Sequence, residues 1–245
     1  MAKPFYGPDL AALHHRFYSE FVDSAAPGAI AVLRAHGIKR GVVLDLGCGA
    51  GQFSARLLKA RYQPVGIDIS AAMIRIARRT APKASFIRDS VTTTQFPQAC
   101  AAIALGEVFN YLKSKAEMLR AFRNVYRALT PGGVLIFDIK EPLPGNSKKF
   151  RSSARWGKGW AVAVEVEEDP RAGRLVRRIV TFTSKRAGLR YKKSEETHEQ
   201  RIYRARDVAK MLREAGFSVR IIPGFGRYML SPDRKILLAK KPLVP

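Results

Sequence analysis

Apolar residues recur at steps of three and four through Leu10, Leu13, Phe17 and Phe21, the period of a helix with one buried face. The spacing predicts helix over residues 9–35, broken into two at Ala26-Pro27-Gly28, where the proline–glycine pair interrupts. From residue 41 the pattern changes. Residues 41–46 read as a buried strand with a glycine-rich turn behind it, 53–60 as a helix, 64–68 as a second strand, and 70–79 as a helix capped by Ser70. Residues 84–88 and 101–105 read as further strands. A long helix over 114–129 meets a stop signal at Thr130-Pro131-Gly132-Gly133, and a fifth strand covers 134–138. Strands alternating with helices predict a parallel, doubly wound sheet.

Beyond residue 142 the alternation stops. Residues 143–151 read as a polar linker. Trp160, Val162, Val164 and Val166 then alternate along one face of a strand, residues 169–173 form a turn, and 175–185 and 189–201 are further strand-like runs. Three such runs in succession predict an antiparallel meander. Helix returns over 206–215, and 217–222 and 235–240 form a last strand pair. The expected fold is α/β: a doubly wound, mostly parallel seven-stranded sheet with an inserted antiparallel three-stranded lid. Its parts are a helical cap (1–40), a core (41–142), the lid (143–204) and a completion of the core sheet (205–245).

At 245 residues with 47% hydrophobic, the chain is long enough for one domain with an insertion. It contains no apolar run of the roughly 18 residues that a membrane span requires, and residues 1–9 do not resemble a leader. Cys48 and Cys100 form neither a disulfide framework nor a metal-type spacing, so a cytoplasmic protein without a metal is expected. Charge complicates the picture. Lys+Arg is 44 against 20 for Asp+Glu, a net +24, which suggests either a polyanion partner or a solvated basic surface. The basic residues are scattered, and aromatics rarely interleave with them, so no base-stacking platform is expected.

The most informative stretch is Leu44-Asp45-Leu46-Gly47-Cys48-Gly49-Ala50-Gly51-Gln52. Glycines at alternate positions let a ligand approach the backbone. The dinucleotide fingerprint demands a later Gly or Ala where this chain has Gln52. Asp45 would repel a pyrophosphate and welcome an amino group. Asp68, ending the second strand, is placed to accept ribose hydroxyls. Ribose, amine and carboxylate without phosphate describe S-adenosylmethionine (SAM).

The blocks VLDLGCGAG (43–51), VGIDIS (65–70), FIRDS (86–90), IALGEVFNYL (103–112) and LTPGGVLIFDI (129–139) together resemble the class I SAM-dependent methyltransferases of small-molecule type, with their Rossmann-like fold. The resemblance implies that Gly47, Gly49 and Gly51, with Asp45, Cys48 and Met73, line the methionine and ribose portion. It implies that Asp68 binds the ribose, that Ile69 lies on the adenine, and that Asp89 meets the adenine amino group with Ser90 beside it, a solvated turn being the other reading of Asp89. Gly106 and Glu107 would close the site. The layout of the C-terminal half is similar to relatives with an antiparallel lid over the acceptor.

Methyl transfer needs positioning, and a base only when the nucleophile arrives protonated. Candidate bases are His198 on the last lid strand, His14 or His15 on the first helix, and Glu107. Candidate acceptor contacts are Asn110, Tyr111, Trp156 (or Trp160), Arg201 and Tyr203, each with packing or a surface role as the alternative. The expected activity is methyl transfer to N or O of a small molecule by a monomer or homodimer without a membrane partner. The rivals are an RNA or other polyanion methyltransferase and a non-catalytic SAM-binding protein. Residues 103–111 lack the Asp/Asn-Pro-Pro-Tyr/Phe block of exocyclic base methylation, and neither cysteine follows a proline. A nicotinamide dehydrogenase is disfavoured by Asp45 and Gln52.

Overall fold

The computed structural model describes residues 5–17, 19–145, 147–184, 190–225 and 228–243. The chain opens with α1 (Pro8–Phe17) and α2 (Ser19–Ala35). No break occurs at Pro27, which lies inside α2. A mid-helix proline forfeits a hydrogen bond and crowds the preceding turn. Val22, Ala25, Ala26, Ala29 and Leu33 bury one face of α2 in an apolar cluster with sheet residues, and that burial outweighs the local penalty.

Alternation follows: β1 (Gly41–Leu46), α3 (Gln52–Lys59), β2 (Tyr62–Asp68), α4 (Ala71–Thr80), β3 (Ser85–Arg88), β4 (Ala99–Ala104), a 3-10 turn (Val108–Tyr111), α5 (Lys115–Ala128) and β5 (Leu129–Lys140). Ser70 caps α4 and Ser114 caps α5 through their hydroxyls. β5 starts at Leu129, so the expected stop signal lies within it. The register against β4 slips between Ala99 and Ala101, and Gly132 and Gly133 exchange backbone hydrogen bonds with Lys241. A bulge at a strand end accommodates proline and glycine in this way.

The second sheet contains β6 (Lys149–Gly157), β7 (Trp160–Asp169), β8 (Arg174–Thr183) and β9 (Lys192–Arg201), all antiparallel. It has four strands where three were expected. The addition is β6, which begins in the segment read as a linker and runs on through residues for which no element was expected; it is an exposed edge strand and so carries no apolar alternation to read. The expected strand ends at 185 and 189 lie outside the described residues. The chain closes with α6 (Ala205–Glu214), β10 (Ser218–Ile222), a short hairpin of β11 (Gly224–Phe225) and β12 (Tyr228–Met229), and β13 (Arg234–Lys240).

Among the described residues the main sheet has seven strands in the order β10-β13-β5-β4-β1-β2-β3, with β13 antiparallel to both neighbours. One apolar layer packs α5 and α6 against the sheet, the other packs α2 and α3. Strand order reverses between β1 and β4, which opens a crevice at their carboxyl ends. The lid is anchored beside it. Lys140 Nζ, buried at the end of β5, lies 2.6 Å from Asp233 and 3.2 Å from Glu168 of β7, and Glu168 also accepts the Leu143 N–H at 2.7 Å. Among the described residues no helix is long and apolar enough to cross a membrane, and no acidic, histidine or cysteine cluster is arranged to hold a metal ion.

Candidate active site

The loop after β1 carries Gly47, Gly49 and Gly51 at φ 64, 50 and 76, the left-handed region that favours glycine. Two of the three do different work. A Cβ on Gly51 would lie 2.9 Å from Ala77 Cα on α4, so this glycine permits close packing. A Cβ on Gly49 would meet nothing nearer than Met73 Sδ at 4.0 Å, so the backbone there faces open space.

Asp68, at the end of β2, receives the Gly49 N–H on Oδ2 at 2.9 Å and the Ser70 N–H on Oδ1 at 2.8 Å. It therefore binds the loop to the start of α4, and each oxygen keeps a further lone pair. Burial raises its carboxyl above the ordinary range, and the Ser70 and Gly49 amides pull against that rise. The neighbouring Ile69 is 55% exposed, an apolar side chain left on the crevice rim. Asp89 follows β3; its amide donates to the Asp68 carbonyl at 3.2 Å. Its carboxylate accepts from the Ser90 amide at 2.7 Å and the Thr93 hydroxyl at 3.0 Å, and the Ser90 bond leads in holding it below its usual value. The Ser90 hydroxyl is 2.8 Å from that of Thr92.

Beneath the loop, Asp45 is buried and accepts the Ser54 hydroxyl at 2.6 Å. Burial pushes its carboxyl up to about 7 against the pull of that hydrogen bond. Burial also lifts the Cys48 thiol well above its normal range; the sulfur turns inward beside Gly66, so only the Cys48 backbone lines the loop. Met73 is buried with Ala11 and Ala50.

Glu107 ties the core to the lid. Its amide and that of Gly106 donate to the two oxygens of Asp138 at 3.2 and 2.7 Å. Its carboxylate meets Arg177 of β8 at 2.9 Å, Gln200 of β9 at 3.0 Å and Arg234 of β13 at 3.2 Å. Burial alone would raise its pKa, but Arg177 and Arg234 outweigh burial and hold it below the usual range. Glu107 is thus an ionised clasp with both oxygens occupied, which speaks against the expected role as a base.

The lid's inner face supplies the other wall. His198 is 1% exposed and sits opposite Arg177 in the β8–β9 ladder. Its Nε2 is 3.0 Å from Glu196 Oε2, and its buried Nδ1 has no hydrogen-bond partner. Its ring centroid lies 4.6 Å from Phe5, 4.7 Å from Tyr6 and 6.1 Å from Tyr111. Burial raises the Tyr111 phenol, while the nearby Arg177 charge opposes that rise. The N-terminal segment crosses above: the Tyr6 carbonyl accepts the Ser70 hydroxyl at 2.8 Å, and the Gly7 amide donates to Glu196 Oε1 at 2.8 Å. His14 stacks edge-on to Tyr6 at 5.0 Å; burial first, then His198 and His15, lowers its pKa to about 4. His15 accepts the Gln52 side-chain amide on its carbonyl at 2.9 Å, so its ordered contact is a backbone one, and His14 is the histidine of α1 that faces the cluster.

Four expected acceptor contacts lie elsewhere. Asn110 is fully buried, but its amide is consumed by the Lys140 and Arg201 carbonyls and the Lys140 N–H, at 3.1, 2.6 and 3.0 Å. Arg201 lies on the exposed face of β9, because Glu196, His198 and Gln200 take the inward positions. Tyr203 packs against the core beneath the lid. Trp156 is 75% exposed on the edge strand β6; Trp160 instead meets the cap, with the Arg16 guanidinium 5.6 Å over its ring. Sequence reasoning missed Tyr6, Arg177, Glu196, Gln200 and Asp138. Strand parity around His198 was the available signal for Glu196 and Gln200.

A doubly wound sheet whose glycine loop is backed by Asp45 and Asp68 at its switch point defines the class I methyltransferase fold. Open space above Gly49, the Asp68 carboxylate at the end of β2 and an exposed apolar rim suit SAM. The comparisons agree. Residues 43–133 match the model of the methyltransferase domain family. YqeM of Bacillus subtilis (strain 168), whose name places it with the methyltransferases, is 29% identical over 195 residues, 74% of this chain and 75% of that protein. A trans-aconitate 2-methyltransferase of Methylobacterium radiotolerans is 30% identical over 172 residues, 69% of this chain and 62% of that protein. The X-ray structure of the sugar N-methyltransferase KedS8 from Streptoalloteichus sp ATCC 53650 superposes with TM-score 0.80 over 99% of this chain and 98% of that one, at 19% identity, a likeness of fold. Residues 43–133 are a methyltransferase domain, and the protein is a SAM-dependent methyltransferase of class I fold.

Proposed function

We propose that the protein transfers a methyl group to an amine or hydroxyl of a small molecule, with His198 as the general base. The observation that carries this is the buried His198 ring, bonded to Glu196 on one nitrogen and without a partner on the other. A nitrogen in that state is poised to accept a proton. Amines and hydroxyls bring such a proton, whereas a carboxylate acceptor needs no base. Arg177, the cation facing the site, is already paired by Glu107, which also disfavours an acidic acceptor such as trans-aconitate.

In this reading Gly47, Gly49, Gly51 and Asp45 cradle the methionine end, Asp68 accepts the ribose hydroxyls, Ile69 covers the adenine, and Asp89 with Ser90 meets its edge. The bound SAM supplies an activated methyl group. The chain's own work is to align the acceptor, exclude water with residues 5–7, and take the proton. Phe5, Tyr6 and Tyr111 form the acceptor wall.

The test is a panel of amines, hydroxyls and carboxylates assayed for S-adenosylhomocysteine release by wild type and His198→Gln. Turnover of an amine or hydroxyl is expected, with a loss of roughly 10²- to 10⁴-fold in the variant. Turnover confined to carboxylates and indifferent to His198 refutes the proposal.

A further inference from the structure

Glu196 touches both the base and the segment that covers it. Its Oε2 meets His198 Nε2 at 3.0 Å, and its Oε1 accepts the Gly7 amide at 2.8 Å. Both side chains are buried. A carboxylate only accepts, so the proton of a neutral His198 resides on Nε2, and Nδ1 presents a lone pair. The next link runs to the other substrate. Tyr6, one residue before Gly7, is held through its carbonyl by Ser70, the N-cap of α4, whose own amide donates to Asp68. One continuous chain of hydrogen bonds therefore joins the ribose-facing carboxylate, the N-terminal strap and the base.

Resting on the assignment of His198 as base, we propose that Glu196 is a positioning residue that fixes the His198 tautomer and, through Gly7, closes the strap over the acceptor in the same arrangement. During transfer the acceptor nitrogen or oxygen bonds to the methyl carbon. The carbon–sulfur electron pair stays on sulfur, and the acceptor's proton passes to His198 Nδ1. The imidazolium so formed donates to Glu196 through a charge-assisted bond. When Gly7 leaves Glu196 and the strap opens, that proton reaches solvent. Triads built on serine use a buried carboxylate behind histidine for the same tautomer control.

The experiment uses full-length protein labelled with ¹⁵N-histidine, with S-adenosylhomocysteine as the probe ligand. Long-range ¹H–¹⁵N correlation reads which ring nitrogen carries the proton. The chain has four histidines, and His198→Gln identifies the signal. Wild type is expected to show the Nε2–H form. Glu196→Gln is nearly isosteric: its amide oxygen can still receive Gly7, while its NH₂ donates to His198 Nε2 and drives the proton to Nδ1. That variant is expected to fold, to show the Nδ1–H form, and to bind S-adenosylhomocysteine as wild type does. Glu196→Ala, which also releases Gly7, is expected to bind the probe about tenfold more weakly by calorimetry. An Nδ1–H form in wild type, or an Nε2–H form retained in Glu196→Gln, overturns the proposal. If the tautomer flips as expected and His198→Gln still turns over its acceptor at the wild-type rate, the base assignment fails while control of the tautomer by Glu196 stands.

Discussion

Asp45→Asn isolates the electrostatic strain stored under the glycine loop. The wild-type carboxyl titrates near 3.8 when the chain is unfolded and at about 7 when it is folded. Between those values the folded protein holds one more proton than the unfolded one, so stability falls as pH rises, by about 1.4 kcal/mol per pH unit. The accumulated penalty reaches about 4 kcal/mol at pH 7 and above. His14 acts in the opposite sense. Lowered from 6.5 to about 4, it holds one proton fewer when folded, so its contribution rises with pH across that window. The full effect would be about 3 kcal/mol, less a discount for its partial exposure. Across most of pH 4 to 6.5 the two slopes oppose each other, and the wild-type profile alone would conceal both.

Comparing the two proteins exposes what the Asp45 carboxyl contributes. In Asp45→Asn the amide oxygen can still accept the Ser54 hydroxyl, but no proton is exchanged. Urea unfolding from pH 4 to 8 is expected to show the variant gaining on wild type only above pH 4, levelling off by about pH 7. At the plateau the gain is about 4 kcal/mol above any constant offset, roughly 10 °C in Tm for a chain of this size. A cation beside the loop favours the carboxylate, so SAM affinity in wild type is expected to improve with pH up to about 7 and to lose that trend in the variant. Parallel stability profiles for the two proteins across the whole range would refute the reasoning.

Three other substitutions separate structure from ligand binding. Asp68→Ala removes the acceptor of the Gly49 and Ser70 amides and is expected to weaken SAM binding by roughly 10²-fold in calorimetry; unchanged affinity would remove Asp68 from the site. Both Gly49→Ala and Gly51→Ala carry the left-handed backbone cost of about 1 kcal/mol; Gly51→Ala also drives a Cβ against Ala77 and is expected to show a further loss of about 1–3 kcal/mol, whereas Gly49→Ala, with space around it, is expected to lose SAM affinity beyond its smaller stability loss; equal Tm losses in the two would count against the assignment of open space to Gly49. Glu107→Gln leaves Arg177 and Arg234 without their shared carboxylate and is expected to destabilise by about 3–5 kcal/mol in denaturant unfolding; a loss below about 1 kcal/mol would show that the core–lid clasp is not electrostatic.

The core was legible because buried parallel strands are continuous apolar runs and glycine loops are unmistakable punctuation. The lid was legible only where it is covered on one face. β6 forms through a nine-residue ladder with β7, and since neither of its faces is buried, no periodic signal reaches the sequence. The acceptor residues went astray for a different reason. Asn110 looked available beside the crevice, but its three backbone partners come from β5 and β9, a long-range saturation that local pattern does not reveal. Arg201 and His198 were both assigned to the pocket although they are three apart on one strand, and a period of two places them on opposite faces. Applied consistently, that period carries more: if His198 points inward, so do Glu196 and Gln200. A strand whose inner face reads Glu-His-Gln has buried three polar side chains in succession, and each must find a partner or a purpose. Gln200 finds Glu107, Glu196 finds Gly7 and His198, and the His198 nitrogen left without a partner is the one for which the proposed role as base supplies a purpose.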